Sequence, residues 1–304
     1  MSTKKEQLGF FKLYFKNFKV MLVGNLLFSI PLVLSIALIY GLALLFNQTD
    51  NLWFLSLVII LIYPFYSGVT QITKDVVKGG KAPVEPVKAF KKGIKNNIKY
   101  FALYGILMYV CLIVSYYSIS LYLKLSENSI IFFIPSFLTV MISVFLLFMS
   151  FSLPLLTVTI ELKLKHYFKN AALMALGELF KNIYVSVTTI ALLTGCISIS
   201  LLMGNAIAGI IFLLLAVVLI LPTGISYLAV YRLYPRMEKL FELEPPQDEK
   251  EEHTFPTMPV ATPTDDEGNP IRTHSDDGEG YVFVNGRMIK KSLANNYEYI
   301  NESD

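Results

Sequence analysis

The chain has 304 residues, 54% of them hydrophobic and only 16% charged, with a formal net charge of +3. Its two cysteines, Cys111 and Cys196, lie in apolar stretches with no CxxC or Cys/His grouping, which argues against a disulfide framework and a zinc site. The mild net charge conceals a split: residues 1–240 hold 21 basic against 8 acidic groups, and residues 241–304 hold 5 against 15.

Six stretches contain no Asp, Glu, Lys, Arg or His: 20–46, 52–73, 100–123, 130–159, 183–203 and 206–231. Each reaches the roughly 20 residues a helix needs to cross about 30 Å of hydrocarbon. A soluble helical core would show a polar face every turn, and these segments are apolar all round. The pattern predicts an all-α polytopic membrane protein with six transmembrane helices arranged as three hairpins. The membrane domain occupies 1–240 and an acidic, Pro-rich tail occupies 241–304.

The first segment opens with Phe10, Phe11, Tyr14, Phe15 and Phe18 at helical spacing, with Lys12, Lys16 and Lys19 on the other face. That spacing predicts an interfacial helix. The first apolar stretch is too long for a signal-peptide core and no small-x-small site follows it, so it is expected to persist in the mature protein. The sequon at Asn47, Gln48 and Thr49 is attributed to chance.

After the second stretch the chain breaks at Gly79 and Gly80 and restarts at Pro86 as an amphipathic helix. Val87, Phe90, Ile94 and Ile98 are expected on its apolar side, with Lys88, Lys91, Lys92, Lys95 and Lys99 toward headgroups or water. The connector after the fourth stretch reads similarly: Leu164, Phe168, Ala171, Ala175 and Leu179 share a face, and Lys163, Lys165 and Lys169 supply charge. In all, 25 of the 26 Lys and Arg residues fall on one side of the six boundaries, and Lys124 is the exception. Since cytoplasmic loops accumulate cations, both termini are expected in the cytoplasm of a multi-pass membrane protein.

Lys12, Lys16, Lys19, Lys88, Lys91, Lys92, Lys95, Lys99, Lys163, Lys165 and Lys169 form the candidate surface for anionic lipids or a partner membrane protein such as a transporter. Positive-inside anchoring alone also accounts for them. Nucleic acid is not an expected partner, because these cations belong against a bilayer.

Pro64, Pro154 and Pro222 precede the next cation by 10, 9 and 10 residues, placing each near the bilayer midplane. Proline frees a carbonyl one turn earlier, here near Ile60, Ser150 and Val218, and lipid tolerates that only where protein or a cavity covers it. Pro64, Ser67, Ser150, Ser152, Pro154, Pro222 and Thr223 are therefore the candidate lining of a midplane cavity, set against simple kinks that shape packing. Gly68, Gly105, Gly195, Gly209 and Gly224 would permit close helix approach.

No span carries an ionisable acid, Lys, Arg or His, which argues against charged relays, Asp-dyad proteolysis and HExxH chemistry. There is no GxxxxGK[ST] loop. No catalytic residue, metal ligand or cofactor is expected. In the tail, Tyr281 to Val284 and Arg287 to Ile289 flank Asn285 and Gly286, the strongest short-range signal for a β-hairpin. The remainder of the tail is expected to be a disordered linker.

Three segments carry a resemblance: Asn25, Leu26, Leu27, Phe28 with Pro31; Tyr63, Pro64, Phe65 through Gly68 and the basic run ending near Gly79; and Leu153, Pro154, Leu155 continuing to Leu162, Lys163 and Lys169 to Leu173. In these the chain resembles the YesL-like family of bacterial integral membrane proteins of unknown function, over most of residues 8–230. The resemblance implies a cytoplasmic-membrane setting associated with carbohydrate uptake and supplies no catalytic residues. The expected role is a non-enzymatic accessory or scaffold protein; the alternative is a facilitator or solute-binding subunit for a neutral solute such as a sugar.

Overall fold

A computed structural model describes residues 9–79, 83–241, 281–284 and 287–290. The chain divides into two compact units, Met1–Glu249 and Lys250–Asp304. The first is all-α: α1 (Phe10–Lys16), α2 (Phe18–Leu45), α3 (Leu52–Leu55), α4 (Val58–Lys78), α5 (Pro86–Ser126), a 3-10 turn (Ile130–Phe132), α6 (Phe133–Thr159), α7 (Leu164–Gly177), α8 (Leu179–Leu202), α9 (Ala206–Leu219) and α10 (Leu221–Leu240).

Five segments are long and apolar enough to cross a membrane: α2, α3 with α4, α5, the 3-10 turn with α6, and α8. α9 and α10 make a sixth if the 45° bend between them lies within one span. The chain is thus an all-α polytopic membrane protein, with wide apolar surface turned outward, as at Leu34, Phe137 and Ile210. In the second unit, β1 (Tyr281–Val284) pairs antiparallel with β2 (Arg287–Lys290), Tyr281 opposite Lys290 and Val284 opposite Arg287. Asn285, Gly286 and the linker expected to be disordered lie outside the described residues.

Sequence-distant contacts gather the cationic connectors at one end of the first unit. Tyr227 donates to the Phe10 carbonyl (2.8 Å), Lys74 to the Val158 carbonyl (3.1 Å), and Arg236 pairs with Glu178 (2.7 Å). The opposite end carries Trp53 against Tyr116 and Tyr117, with centroids 4.8 and 5.4 Å apart. Such amphipathic rings settle at the boundary between acyl chains and water.

Three local expectations are corrected. The amphipathic segment after Pro86 is not a separate interfacial helix: it continues into the third span as the 41-residue α5, about 60 Å long. Lysine is a good helix former and nothing between residues 94 and 100 breaks the ladder, so the charge boundary is not a helix boundary. Its buried stripe is Ala89, Phe90, Gly93 and Asn97, set against α4, while Val87 and Ile98 are exposed. In α7 the buried face is Tyr167, Ala171, Met174 and Ala175; Leu164 and Leu179 are exposed. Among the three repeated prolines, Pro64 and Pro154 sit inside uninterrupted helices, and only Pro222 follows a break.

Glycine sets the closest approach of α4 and α5. A Cβ on Gly93 would stand 2.6 Å from the Ser67 carbonyl oxygen and 2.9 Å from the Gly68 Cα. A Cβ on Gly68 would overlap the Phe90 ring, and one on Gly105 would meet Tyr63 Cβ at 2.9 Å. Gly209 plays the same part between α9 and α8, opposite Ser200, whereas a Cβ on Gly195 would meet nothing within 4 Å. Gly93→Ala is expected to lower stability by about 1–3 kcal/mol through overpacking against backbone that cannot retreat. Gly195→Ala should leave it unchanged, with thermal unfolding in mild detergent as the measurement.

Candidate functional site

Polar groups inside the first unit form two arrangements, a satisfied seam along the helices and an open cavity at the lysine-bearing end. The seam begins at the break between α9 and α10. In an unbroken helix the Thr223 N–H would bond the Leu219 carbonyl, but Pro222 clashes with the turn before it and the two groups part. The fully buried side chain of Asn25, from α2, fills the gap. Its Nδ2 donates to the Leu219 carbonyl (2.6 Å) and its Oδ1 accepts from the Thr223 N–H (2.8 Å). One amide supplies both partners that the bent helix lost, in a setting without water to do so.

Further along the seam the hydroxyls of Thr73 and Ser226 share a hydrogen bond of 2.8 Å between α4 and α10. The Tyr104 and Thr157 hydroxyls do the same between α5 and α6, at 2.9 Å.

The residues proposed from sequence as a midplane lining fall within this packing. Ser67, Ser152 and Thr223 are buried. Ser67 donates to the Pro64 carbonyl (2.6 Å) and Ser150 to the Leu147 carbonyl (2.6 Å). Ser152 donates to the Phe148 carbonyl (3.3 Å) and Thr223 to that of Met21 (3.4 Å). Pro64, Pro154 and Pro222 lie among them, half-buried or buried. These bonds stay within a helix or reach a neighbouring backbone, as packing kinks would require.

The cavity, of about 590 Å³, opens where α4, the first half of α5, the end of α6, the α6–α7 connector and α7 meet. Gln71 and Lys74 contribute from α4; Lys92, Asn96, Asn97 and Tyr100 from α5; Thr157 to Thr159 from α6; Ile160 to Lys163 from the connector; and Tyr167 from α7.

Lys74 is 12% exposed, donates to the Val158 carbonyl near the end of α6 and lies 3.4 Å from the Asp75 carboxylate. Gln71 Nε2 donates to both Asp75 oxygens, at 2.9 and 3.0 Å. The Tyr167 hydroxyl donates to the Ile160 carbonyl (2.7 Å) and accepts from the Leu162 N–H (3.0 Å), which folds the connector into a rim. Burial pushes the Tyr167 phenol above its ordinary value, so it keeps the proton that this bond needs.

All eleven lysines of the predicted cationic surface are exposed. Lys12 lies on α1 with Lys16 at its end, Lys19 opens α2, and Lys88, Lys91, Lys92, Lys95 and Lys99 line the projecting half of α5. Lys163 precedes α7, and Lys165 and Lys169 belong to it. Only Lys92 and Lys163 of this set meet at the cavity. Sequence reasoning missed Lys74 as a member of the site, although its position one residue past an apolar stretch was a signal; among the described residues it is the most enclosed cation of its connector.

On α1, Phe10 and Tyr14 stack on Tyr227 (centroids 4.9 and 5.3 Å apart), while Phe11 and Phe15 stand exposed beside the lysines. Among the described residues no group of three His, Cys, Asp or Glu side chains converges as a metal site would. The chain matches no protein-family model, no curated protein and no solved structure.

Replacing Asn25 with Leu is expected to strand the Leu219 carbonyl and the Thr223 N–H in a dry interior, costing about 2 kcal/mol or more. Ser29→Ala, which removes only a bond to the Asn25 carbonyl, should cost less. Thermal or denaturant unfolding of the two purified variants side by side checks the order.

Proposed function

We propose that the protein is a non-enzymatic accessory subunit of the bacterial cytoplasmic membrane, with both termini in the cytoplasm. In this reading it docks through the lysine-bearing half of α5 onto a partner membrane protein concerned with carbohydrate uptake. The observation that carries the proposal is that α5 does not stop where its charges begin. Its first 14 residues extend the spanning helix as a rigid, glycine-locked pair with the end of α4, and Lys88, Lys91, Lys95 and Lys99 stand exposed along them. Anchoring to headgroups needs only scattered cations near a membrane boundary. A projecting helical rib bearing charge at successive turns fits a complementary acidic surface or an anionic bilayer. The carbohydrate setting rests on the YesL-like resemblance alone.

The interrupted sixth span is the feature that favours the second reading, a facilitator for a neutral solute such as a sugar, because broken helices in transporters commonly frame substrates. Here Asn25 occupies the break and bonds both free backbone groups, which makes it a packing joint and leaves the accessory reading in front.

The triple variant Lys88→Glu, Lys91→Glu and Lys95→Glu should lose a partner that co-purifies with the unaltered protein in gentle detergent and native lipid. An unaltered protein that stays partnerless under those conditions overturns the docking role. Orientation is tested separately in a background lacking Cys111 and Cys196. A cysteine at position 48 should react with a membrane-impermeant thiol reagent added to intact cells, and one at position 88 should not.

A further inference from the structure

We propose that the cavity at the lysine-bearing end binds a phosphate monoester carried on a polyol, the shared chemistry of an anionic lipid headgroup and a free sugar phosphate. The inference stands apart from the docking role and from the side of the membrane on which this end lies. Three lysines from different elements line one space: Lys74 from α4, Lys92 from α5 and Lys163 from the α6–α7 connector. Two carboxylates oppose them, Glu161 in the lining and Asp75 beside Lys74.

Lys74 is the enclosed member, and a poorly solvated ammonium gains most from an anionic partner. It carries three N–H donors. One serves the Val158 carbonyl and a second lies toward Asp75 at 3.4 Å, which leaves a third for the cavity. Asp75 is a loose partner at 3.4 Å, and its two oxygens also accept from Gln71.

Capping of the α6 C-terminus would explain the first of these bonds. It leaves unexplained why Lys92 and Lys163 converge on the same volume from separate elements. Lysines bind phosphate as point charges and need no fixed fork geometry, so three of them around an open space suit a tetrahedral anion. A volume of about 590 Å³ lies within the range of small-molecule sites and exceeds what a phosphate fills. Asn96 on the same walls offers a neutral amide to the hydroxyls of an attached polyol, and the Thr159 hydroxyl, whose proton goes to the Leu155 carbonyl, can still accept from one.

The test uses the full-length chain in phosphatidylcholine nanodiscs. One arm titrates glycerol 3-phosphate by calorimetry, with glycerol as the phosphate-free control. The other adds phosphatidic acid to the disc and counts retained lipid by native mass spectrometry, with diacylglycerol as control. Saturable binding in the first arm assigns the site to a free phosphate ester; binding in the second arm alone assigns it to a headgroup. In either case Lys74→Gln should weaken the interaction about tenfold, as expected for loss of a charge-assisted hydrogen bond.

Because Lys74 also supports α6, the paired change Lys92→Gln with Lys163→Gln, at two exposed positions, supplies the second measurement and should weaken binding in the same direction. Lys12→Gln with Lys16→Gln should leave it unchanged. The proposal is overturned if neither arm exceeds its control. It is equally overturned if the Lys12 and Lys16 changes reduce binding as much as those at Lys92 and Lys163, since the attraction would then be a property of the whole basic end.

Discussion

Hydrocarbon offers a backbone no hydrogen-bond partner, and the rest of this architecture follows from how the chain meets that constraint. Where helices run unbroken the requirement is met internally, and hydroxyl side chains such as Ser150 and Thr159 fold back onto carbonyls of their own helix. Where Pro222 interrupts the ladder, an amide from α2 takes over both lost bonds. That substitution joins the N-terminal part of the unit to its last span, roughly two hundred residues later. The Tyr227 bond to Phe10 and the Thr223 bond to Met21 extend the same junction toward the cationic end. α2 and α10 are therefore held by directional bonds, which matter because lipid removes much of the hydrophobic drive for helices to associate.

The other organising contact is steric. Gly68 and Gly93 at one level and Gly105 at another allow α4 and α5 to lie backbone against backbone, and dispersion accumulates over that length. Because this pair extends beyond the apolar stretches, it carries Gln71, Lys74, Lys92 and Asn97 outward as one body. The end of α6 and the connector bent by Tyr167 close round it. The cavity is the space left where α4 and α5 run on past the end of α6.

Much of this was legible in the sequence, and the part that was not has a physical reason. Freedom from charge marks what lipid tolerates, so the apolar stretches and the common end of the cationic connectors could be read directly, as could the pairing of Tyr281–Val284 with Arg287–Lys290 from Asn-Gly. Charge does not mark where a helix stops, and so the continuity of α5 through Lys99 was hidden. Proline position likewise gave depth but not consequence: Pro64 and Pro154 are absorbed into uninterrupted helices, and Pro222 follows the 45° break between α9 and α10, where Asn25 bonds the opened turn. The expected face of the second amphipathic connector holds at Phe168, Ala171 and Ala175 and fails at its ends, since Leu164 is exposed and Leu179 belongs to α8, because periodicity alone does not say where a helix stops. Lys74 escaped notice for a related reason, since its enclosure depends on Val158, 84 residues away.

The unbroken length of α5 makes it a lever with arms on both sides of its contact with α4 at Gly105. If Gly105, wedged against Ile60 and Tyr63, acts as fulcrum, a tilt of about 5° carries Pro86 sideways by about 2.5 Å. The same tilt swings Tyr117, beside Trp53, by about 1.5 Å in the opposite sense. A load applied to the charged arm would thus be felt at the far rim of the bilayer, with no loop between to absorb it.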